Sequence, residues 1–112
     1  IAVHTHDLRT YTGRTEVFPA VFPSFGLDAD HPLLLKGRSV LEEALSRPVE
    51  VIIWRFATDG GHLMEAGVPT VGFGPAEAGV LHTVDESVPL EMLREGLLGY
   101  VALALALGHQ DP

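Results

Sequence analysis

The chain has 112 residues, 46% hydrophobic and 20% charged, a length that fits one domain and a composition that argues against intrinsic disorder. Seven Lys and Arg against fifteen Asp and Glu give a net charge of −8, so there is no basic footprint for a phosphate backbone and we expect no nucleic-acid partner. Cysteine is absent, which removes disulfides, thiolate zinc sites and Cys nucleophiles together and leaves His and carboxylates as the only strong metal ligands.

Residues 1–26 are rich in β-branched and aromatic types, among them Val3, Thr5, Thr10, Tyr11, Val17, Phe18 and Phe22. They read as extended strands joined by a turn near Thr12-Gly13-Arg14. Pro19 and Pro23 argue against a central strand beyond Val17, because each removes a ladder donor. The character of the chain changes near Gly26 to Asp30, the best candidate for a boundary. Asp28-Ala29-Asp30-His31-Pro32 reads as a helix start, with Asp30 as the cap and Pro32 in the first turn. Leu34, Val40, Leu41, Ala44 and Leu45 then keep one helical face apolar, up to about Arg47-Pro48.

Val49 to Trp54 is nearly continuously apolar and predicts a strand buried on both faces. Thr58-Asp59-Gly60-Gly61 breaks it, a short helix through Met64 and Glu65 ends at Gly67, and Pro69 to Phe73 predicts a second buried strand. After a loop from Gly74 to Glu86, Pro89 opens a long helix on which Leu90, Leu93, Leu97, Val101, Ala104 and Leu105 form a stripe. The most apolar stretch, Leu97 to Leu107, is about half the ~20 residues that cross a bilayer, so it reads as a buried helix and we expect no membrane attachment. The expected class is therefore α/β: strands, then helix-strand-helix-strand-helix, with helices packed on a sheet. Ile1 to Asp7 has no initiator Met and no basic-then-apolar signal pattern. We therefore expect a cytoplasmic chain that begins in the middle of something larger.

Three segments carry candidate chemistry. Ala57-Thr58-Asp59-Gly60-Gly61 follows a strand directly, and such a turn places amides and a hydroxyl where open α/β sheets bind ligands; the plain alternative is a helix cap by Thr58 or Asp59. Gly72-Phe73-Gly74-Pro75 ends the next strand, and its glycines allow close approach to the backbone or simply end the strand. His82-Thr83-Val84-Asp85-Glu86 offers an imidazole ligand, with Glu86 able to orient the ring; a solvated loop His is the alternative. The remaining histidines, His4, His6, His31, His62 and His109, show no HxxxH spacing, although His4 and His6 would share one face of a strand.

Taken together and in order, these blocks resemble the carboxy-terminal part of the M20 metallopeptidase and amidohydrolase family, which includes acetylornithine deacetylase, succinyl-diaminopimelate desuccinylase and carboxypeptidase G2. The resembling stretch runs from Phe22-Pro23 and Asp30-His31-Pro32, through Trp54-Arg55-Phe56-Ala57-Thr58-Asp59-Gly60 and Ala66-Gly67-Val68-Pro69-Thr70-Val71-Gly72-Phe73-Gly74-Pro75, to His82-Thr83-Val84-Asp85-Glu86-Ser87-Val88. The resemblance implies a catalytic α/β domain with two zinc ions and a smaller inserted lid that forms the dimer. Residues 1–26 then look like the closing strands of the lid, and 27–112 like the return into the catalytic domain.

On that resemblance His82 falls on a metal ligand, Glu86 stands behind it, and Thr58 and Gly74 fall near the bound substrate, an N-acyl amino acid or small peptide. The family's amino-terminal His-x-Asp, bridging Asp, Glu-Glu pair and further carboxylate have no counterpart here. Gly61 stands where many relatives have Arg, and Gly74-Pro75-Ala76 replaces Gly-Pro-Gly. One imidazole does not make a site that needs three protein ligands. The expected function is thus that of a fragment of a zinc-dependent amidohydrolase, itself without catalytic residues or activity. The alternative is a stand-alone non-catalytic remnant that oligomerises or binds a partner. Either way we expect a homo-oligomer, because strands meant to be covered on both faces have only three helices to cover them.

Overall fold

The computed structural model describes residues 2–77 and 79–108; Ile1 and His109 lie outside them. The class is mixed α/β, with a two-stranded antiparallel sheet followed by three helices.

Strands β1 (Thr5–Arg9) and β2 (Thr15–Pro19) form a hairpin in which Asp7 faces Val17 and Thr5 faces Pro19. The turn falls where the sequence put it. Thr10 N–H donates to the Arg14 carbonyl at 2.9 Å, and Gly13 takes a φ of 87°, a left-handed conformation that costs glycine little. Pairing runs two residues beyond Val17, to Pro19. A two-stranded ribbon consists of edges, where a missing N–H can face solvent.

Helix α1 (Pro32–Leu45) starts one residue later than expected of an Asp30 cap. The cap is His31, whose Nδ1 accepts the Leu33 N–H at 3.2 Å, and Pro32 occupies the first turn. Ser46 closes the helix in a left-handed conformation at φ 53°. Helix α2 (Gly60–Glu65) is short and is followed by Gly67 at φ 81°. Helix α3 (Leu90–Gly108) is the longest element.

The packing that organises the chain is α1 against α3. Leu41 of α1 is the one buried hydrophobic side chain among the described residues. It meets α3 at Gly99, where an added Cβ would collide with the Phe73 ring and with Leu41. A turn earlier, Gly96 lies on the Pro75 ring. Two missing side chains let α3 settle onto the Phe73-Gly74-Pro75 segment, and Tyr100 Oη–H donates to the Phe73 carbonyl at 2.7 Å. Arg47, just past α1, binds Glu95 of α3 side-on, with Nε to Oε1 at 3.1 Å and Nη2 to Oε2 at 2.6 Å.

Two expectations need correction. Val49 to Trp54 and Pro69 to Phe73 enter no ladder among the described residues. A strand buried on both faces needs pairing on its edges and helices above and below, and here Val51 and Ile52 are exposed and Ile53 is 93% exposed. Side chains substitute for the missing ladder: Glu42 Oε1 accepts the Val49 N–H at 3.2 Å, and the Trp54 ring lies on Gly72. The second correction concerns α3. Its Leu90, Leu93, Leu97, Val101 and Leu105 stripe faces outward, with Leu90 83% and Leu97 65% exposed, while Gly96 and Gly99 are buried. Both faces of α3 are apolar, so closeness of approach decided which one packs.

The shortage of burial is quantitative. The chain exposes 9157 Å², whereas a compact monomer of its 12.0 kDa would expose roughly 6000 Å². Its radius of gyration is 17.5 Å against about 13 Å for a compact chain of this length.

Leu41→Ala should lower unfolding free energy by about 2 kcal/mol, the low end for a leucine truncation because its surroundings are partly open. Gly99→Ala should cost about 1 kcal/mol or more although alanine is the better helix former. Gly108→Ala, with nothing near its Cβ, should be neutral or mildly stabilising. Denaturant titrations of the three variants check the signs.

Hydrogen bonds from the Val49 N–H and from Arg38 hold the Glu42 carboxyl below its ordinary 4.5, and Arg47 does the same for Glu95. Carboxylates with lowered folded pKa values contribute stability above the ordinary carboxylate range and lose it as pH falls through the lowered value. Thermal midpoints should therefore drop as pH falls below 4.5, and Glu95→Gln should flatten part of that drop.

Candidate functional site

After Trp54 the chain bends at Arg55 and Phe56, and the Trp54 and Phe56 side chains come together across the bend. Their rings stack with centroids 5.1 Å apart and planes 22° apart. Trp54 is held from beneath by Gly72, whose Cα hydrogen leaves room for the indole. The edge of the row is His82: its imidazole meets Phe56 at right angles, 6.1 Å between centroids and 84° between planes.

His82 is exposed and sits at φ 61°. A left-handed φ is uncommon for a residue with a Cβ, and His is among the types that tolerate it. Glu86 reaches His82 through the main chain, its Oε2 accepting the His82 N–H at 3.2 Å, rather than through the ring. Thr83 Oγ1 donates to the Val80 carbonyl at 2.7 Å and accepts the Asp85 N–H at 3.3 Å, tightening the same loop.

Thr58 is half-buried, and its Oγ1 accepts the Gly60 N–H at 3.2 Å, two residues on. Asp59 stands at the start of α2 without a side-chain capping bond. The two glycines that open α2 are both buried for steric reasons. A Cβ on Gly60 would enter the Phe25 ring, and one on Gly61 would fall on the Pro23 carbonyl oxygen. No side chain fits at position 61 without moving the backbone, which accounts for glycine where the resemblance leads one to look for Arg.

A cleft of about 490 Å³ opens between the Phe22–Leu27 and Val51–Thr58 segments, with Trp54, Phe56 and Thr58 in its wall. Gly74 belongs elsewhere. It lines a second cleft, of about 460 Å³, between α1, α3 and the 47–54 segment, with Leu41 and Leu103. Thr58 shares the first cleft with Phe56, which meets His82, whereas Gly74 lines the second; Trp54 and Gly72 line both. The motifs pointed to Thr58, Gly74, His82 and Glu86 and passed over the stacked rings of Trp54 and Phe56, the second of which meets His82; the i, i+2 spacing of the two rings was the available signal.

Among the described residues no three His, Asp or Glu side chains converge on one point. His82 offers one imidazole and the Glu86 carboxylate is turned to an amide, so the ligands present do not match a zinc site.

Comparison with known proteins gives partial matches. Over 76 residues the chain is 34% identical to the N-formyl-4-amino-5-aminomethyl-2-methylpyrimidine deformylase of Bacillus subtilis, covering 67% of this chain and 18% of that protein. Over 73 residues it is 30% identical to the protein of the same name from Halalkalibacterium halodurans, covering 65% and 17%. Over 107 residues it is 24% identical to the uncharacterized protein YgeY of Escherichia coli K12, covering 95% and 27%. The matched stretch therefore spans about a sixth to a quarter of the length of these relatives. No family model matches, and no solved structure does. The similarities support a hydrolase-type relationship and no particular activity. No helix among the described residues is long and apolar enough to cross a membrane.

Proposed function

We propose that the chain is the carboxy-terminal part of an M20-like zinc-dependent amidohydrolase that cleaves the amide of an N-acyl amine, N-acyl amino acid or small peptide. Residues 27–112 belong to its catalytic domain and 1–26 to the end of a lid, in a cytoplasmic setting. The observation that carries the reading is that Phe56, which lines one cleft with Thr58, meets the His82 ring, so that two motifs 24 positions apart in the sequence come near one aromatic side chain. The names of the deformylase relatives support it, because removal of a formyl group from nitrogen is an amide cleavage.

In this reading the residues here bind and position. The Thr58 oxygen accepts from Gly60, so its own hydrogen is free to donate to the carbonyl of a bound amide. Phe56 and the Glu86–amide contact hold His82 in place. The other metal ligands and the general base come from polypeptide beyond these 112 residues.

The 112-residue chain should therefore not hydrolyse N-formyl or N-acetyl substrates, with or without added zinc. A longer native polypeptide carrying His-x-Asp and Glu-Glu segments should hydrolyse them with metal dependence, and His82→Ala there should reduce kcat/KM by roughly a hundredfold. Metal-dependent turnover by the short chain, or indifference of the longer one to His82→Ala, would overturn the reading.

The second reading, a non-catalytic unit that associates with copies of itself, rests on a different observation. Exposed surface exceeds that of a compact monomer by roughly 3000 Å², more than the roughly 1600 Å² that a standard protein interface buries. The outward leucines of α3 are the most apolar part of that excess. Sedimentation equilibrium should give a mass that rises with concentration to at least a dimer, and Leu97→Glu should shift it towards the monomer; a monomer mass throughout would exclude self-association.

A further inference from the structure

The cleft beside Thr58 differs in charge from the chain that forms it. The protein carries fifteen Asp and Glu and a net charge of −8, yet no described Asp or Glu lines this cleft, and one cation, Arg55, does. Asp28 and Asp59 adjoin its lining segments in sequence and stay outside the wall, both exposed. Four of the seven Lys and Arg are engaged by a Glu. Arg55 is exposed and makes no ion pair or side-chain hydrogen bond among the described residues. Two hydroxyls share the cleft with it. Thr58 Oγ1 accepts the Gly60 N–H at 3.2 Å and keeps its own hydrogen, and Ser24 is exposed on the opposite wall. Thr70 also lines the cleft, but its hydrogen goes to the Val68 carbonyl at 2.9 Å, so it has only a lone pair to offer and does not suit an anion. The N–H groups of residues 51–57 enter no backbone hydrogen bond among the described residues, which adds main-chain donors on the Arg55 side. The rest of the wall is apolar side chains and glycine, and its volume of about 490 Å³ lies within the range of small-molecule sites.

We propose that Arg55 selects the ligand of this cleft: its guanidinium holds the carboxylate of an apolar amide, with the Ser24 hydroxyl as a second donor and the Thr58 hydrogen left for the amide carbonyl. The inference rests on the amide-hydrolase reading for the reaction and narrows the substrates to amides that carry one carboxylate beside the acylated nitrogen. A single cation matches a monoanion, whereas a phosphate dianion leaves one charge unmatched in a chain already at −8. The planar fork of a guanidinium also fits the two oxygens of a carboxylate. A carboxylate set against an apolar wall without that cation is an unpaired charge, so acids and neutral amides part at this residue. Arg55 and Thr58 lie three positions apart on one wall, and the carboxylate and amide carbonyl of an N-acyl amino acid are themselves separated by only a nitrogen and a carbon.

The test is binding to the 112-residue chain in a buffer free of carboxylate and phosphate, followed by the Arg55 Nε–H resonance and the backbone amides of residues 54–58. N-acetylleucine is the probe, and N-acetylleucinamide, with the same acyl group and side chain but no charge, is its control. The acid should give saturable shifts at these positions, and the amide should bind roughly tenfold more weakly, the ratio expected of one charge-assisted pair. Arg55→Gln should bring the acid down to the level of the amide and leave the amide unchanged, which also shows that the cleft still forms. Arg55→Lys should restore part of the preference. Arg9→Gln, which removes an equal charge outside the cleft, should change neither. Equal binding of acid and amide, equal losses in the Arg9 and Arg55 variants, displacement of the acid by an equal concentration of inorganic phosphate, shifts confined to the second cleft around Leu103, or no saturable shift would each overturn the proposal. In a longer polypeptide that hydrolyses amides, Arg55→Gln should raise KM for N-acetylleucine roughly tenfold with kcat little changed. Such a polypeptide, active and indifferent to Arg55→Gln, would sink only this inference. A cleft that prefers the acid in a protein that hydrolyses nothing would sink only the hydrolase reading.

Discussion

The contact of Leu41 with Gly99 across α1 and α3 is the constraint on which the remaining geometry depends. One leucine meets one bare Cα, and the Phe73 ring fills the same space. With a side chain at position 99 the helix would stand off, Tyr100 would lose the Phe73 carbonyl, and the 69–75 segment would no longer be pressed towards Trp54. The Arg47–Glu95 pair closes the same junction at its exposed end. It fixes orientation more than it adds stability, since exposed ion pairs trade attraction against screening and lost side-chain freedom.

From that junction outward the structure is held by single contacts between unlike groups. Gly72 carries Trp54, Trp54 stacks on Phe56, and Phe56 meets His82. On the other side Gly60 carries Phe25 and Gly61 abuts the Pro23 carbonyl. Gly72 and Gly60 serve as flat seats, and the ring placed on each acquires a fixed orientation without a deep core. This arrangement keeps a cleft open in a chain that buries little, and it brings the His82 imidazole against Phe56, a ring in the wall of the cleft that Thr58 also lines.

Glycine is also where reading by hydropathy lost the fold. A stripe of leucines on α3 predicts a packed face, yet the buried positions are Gly96 and Gly99, which carry no apolar side chain to register in the pattern. The same holds for Val49 to Trp54, whose apolar run has the composition of a central strand. Composition states what a segment would bury, and pairing partners decide whether it does; here Ile53 stays in solvent and no ladder forms. His31 took the capping role expected of Asp30 because its Nδ1 reaches the same amide, a choice of rotamer and distance that spacing does not express.

Local matters were settled by the chain itself. Gly13 placed the hairpin turn, Pro32 and Ser46 bracket α1, Gly67 follows α2, and the order Thr58, Gly74, His82, Glu86 carried the resemblance to a hydrolase. Each depends on backbone conformations available to one residue and its neighbours, and those are properties of residue type. Tertiary structure alone decided that His82 meets Phe56, which lines a cleft with Thr58 while Gly74 lines another, that position 61 has no room for a side chain, and that α3 packs by its glycines. Those outcomes depend on which surfaces approach within van der Waals distance, and short-range packing between residues far apart in sequence leaves no periodic trace along the chain.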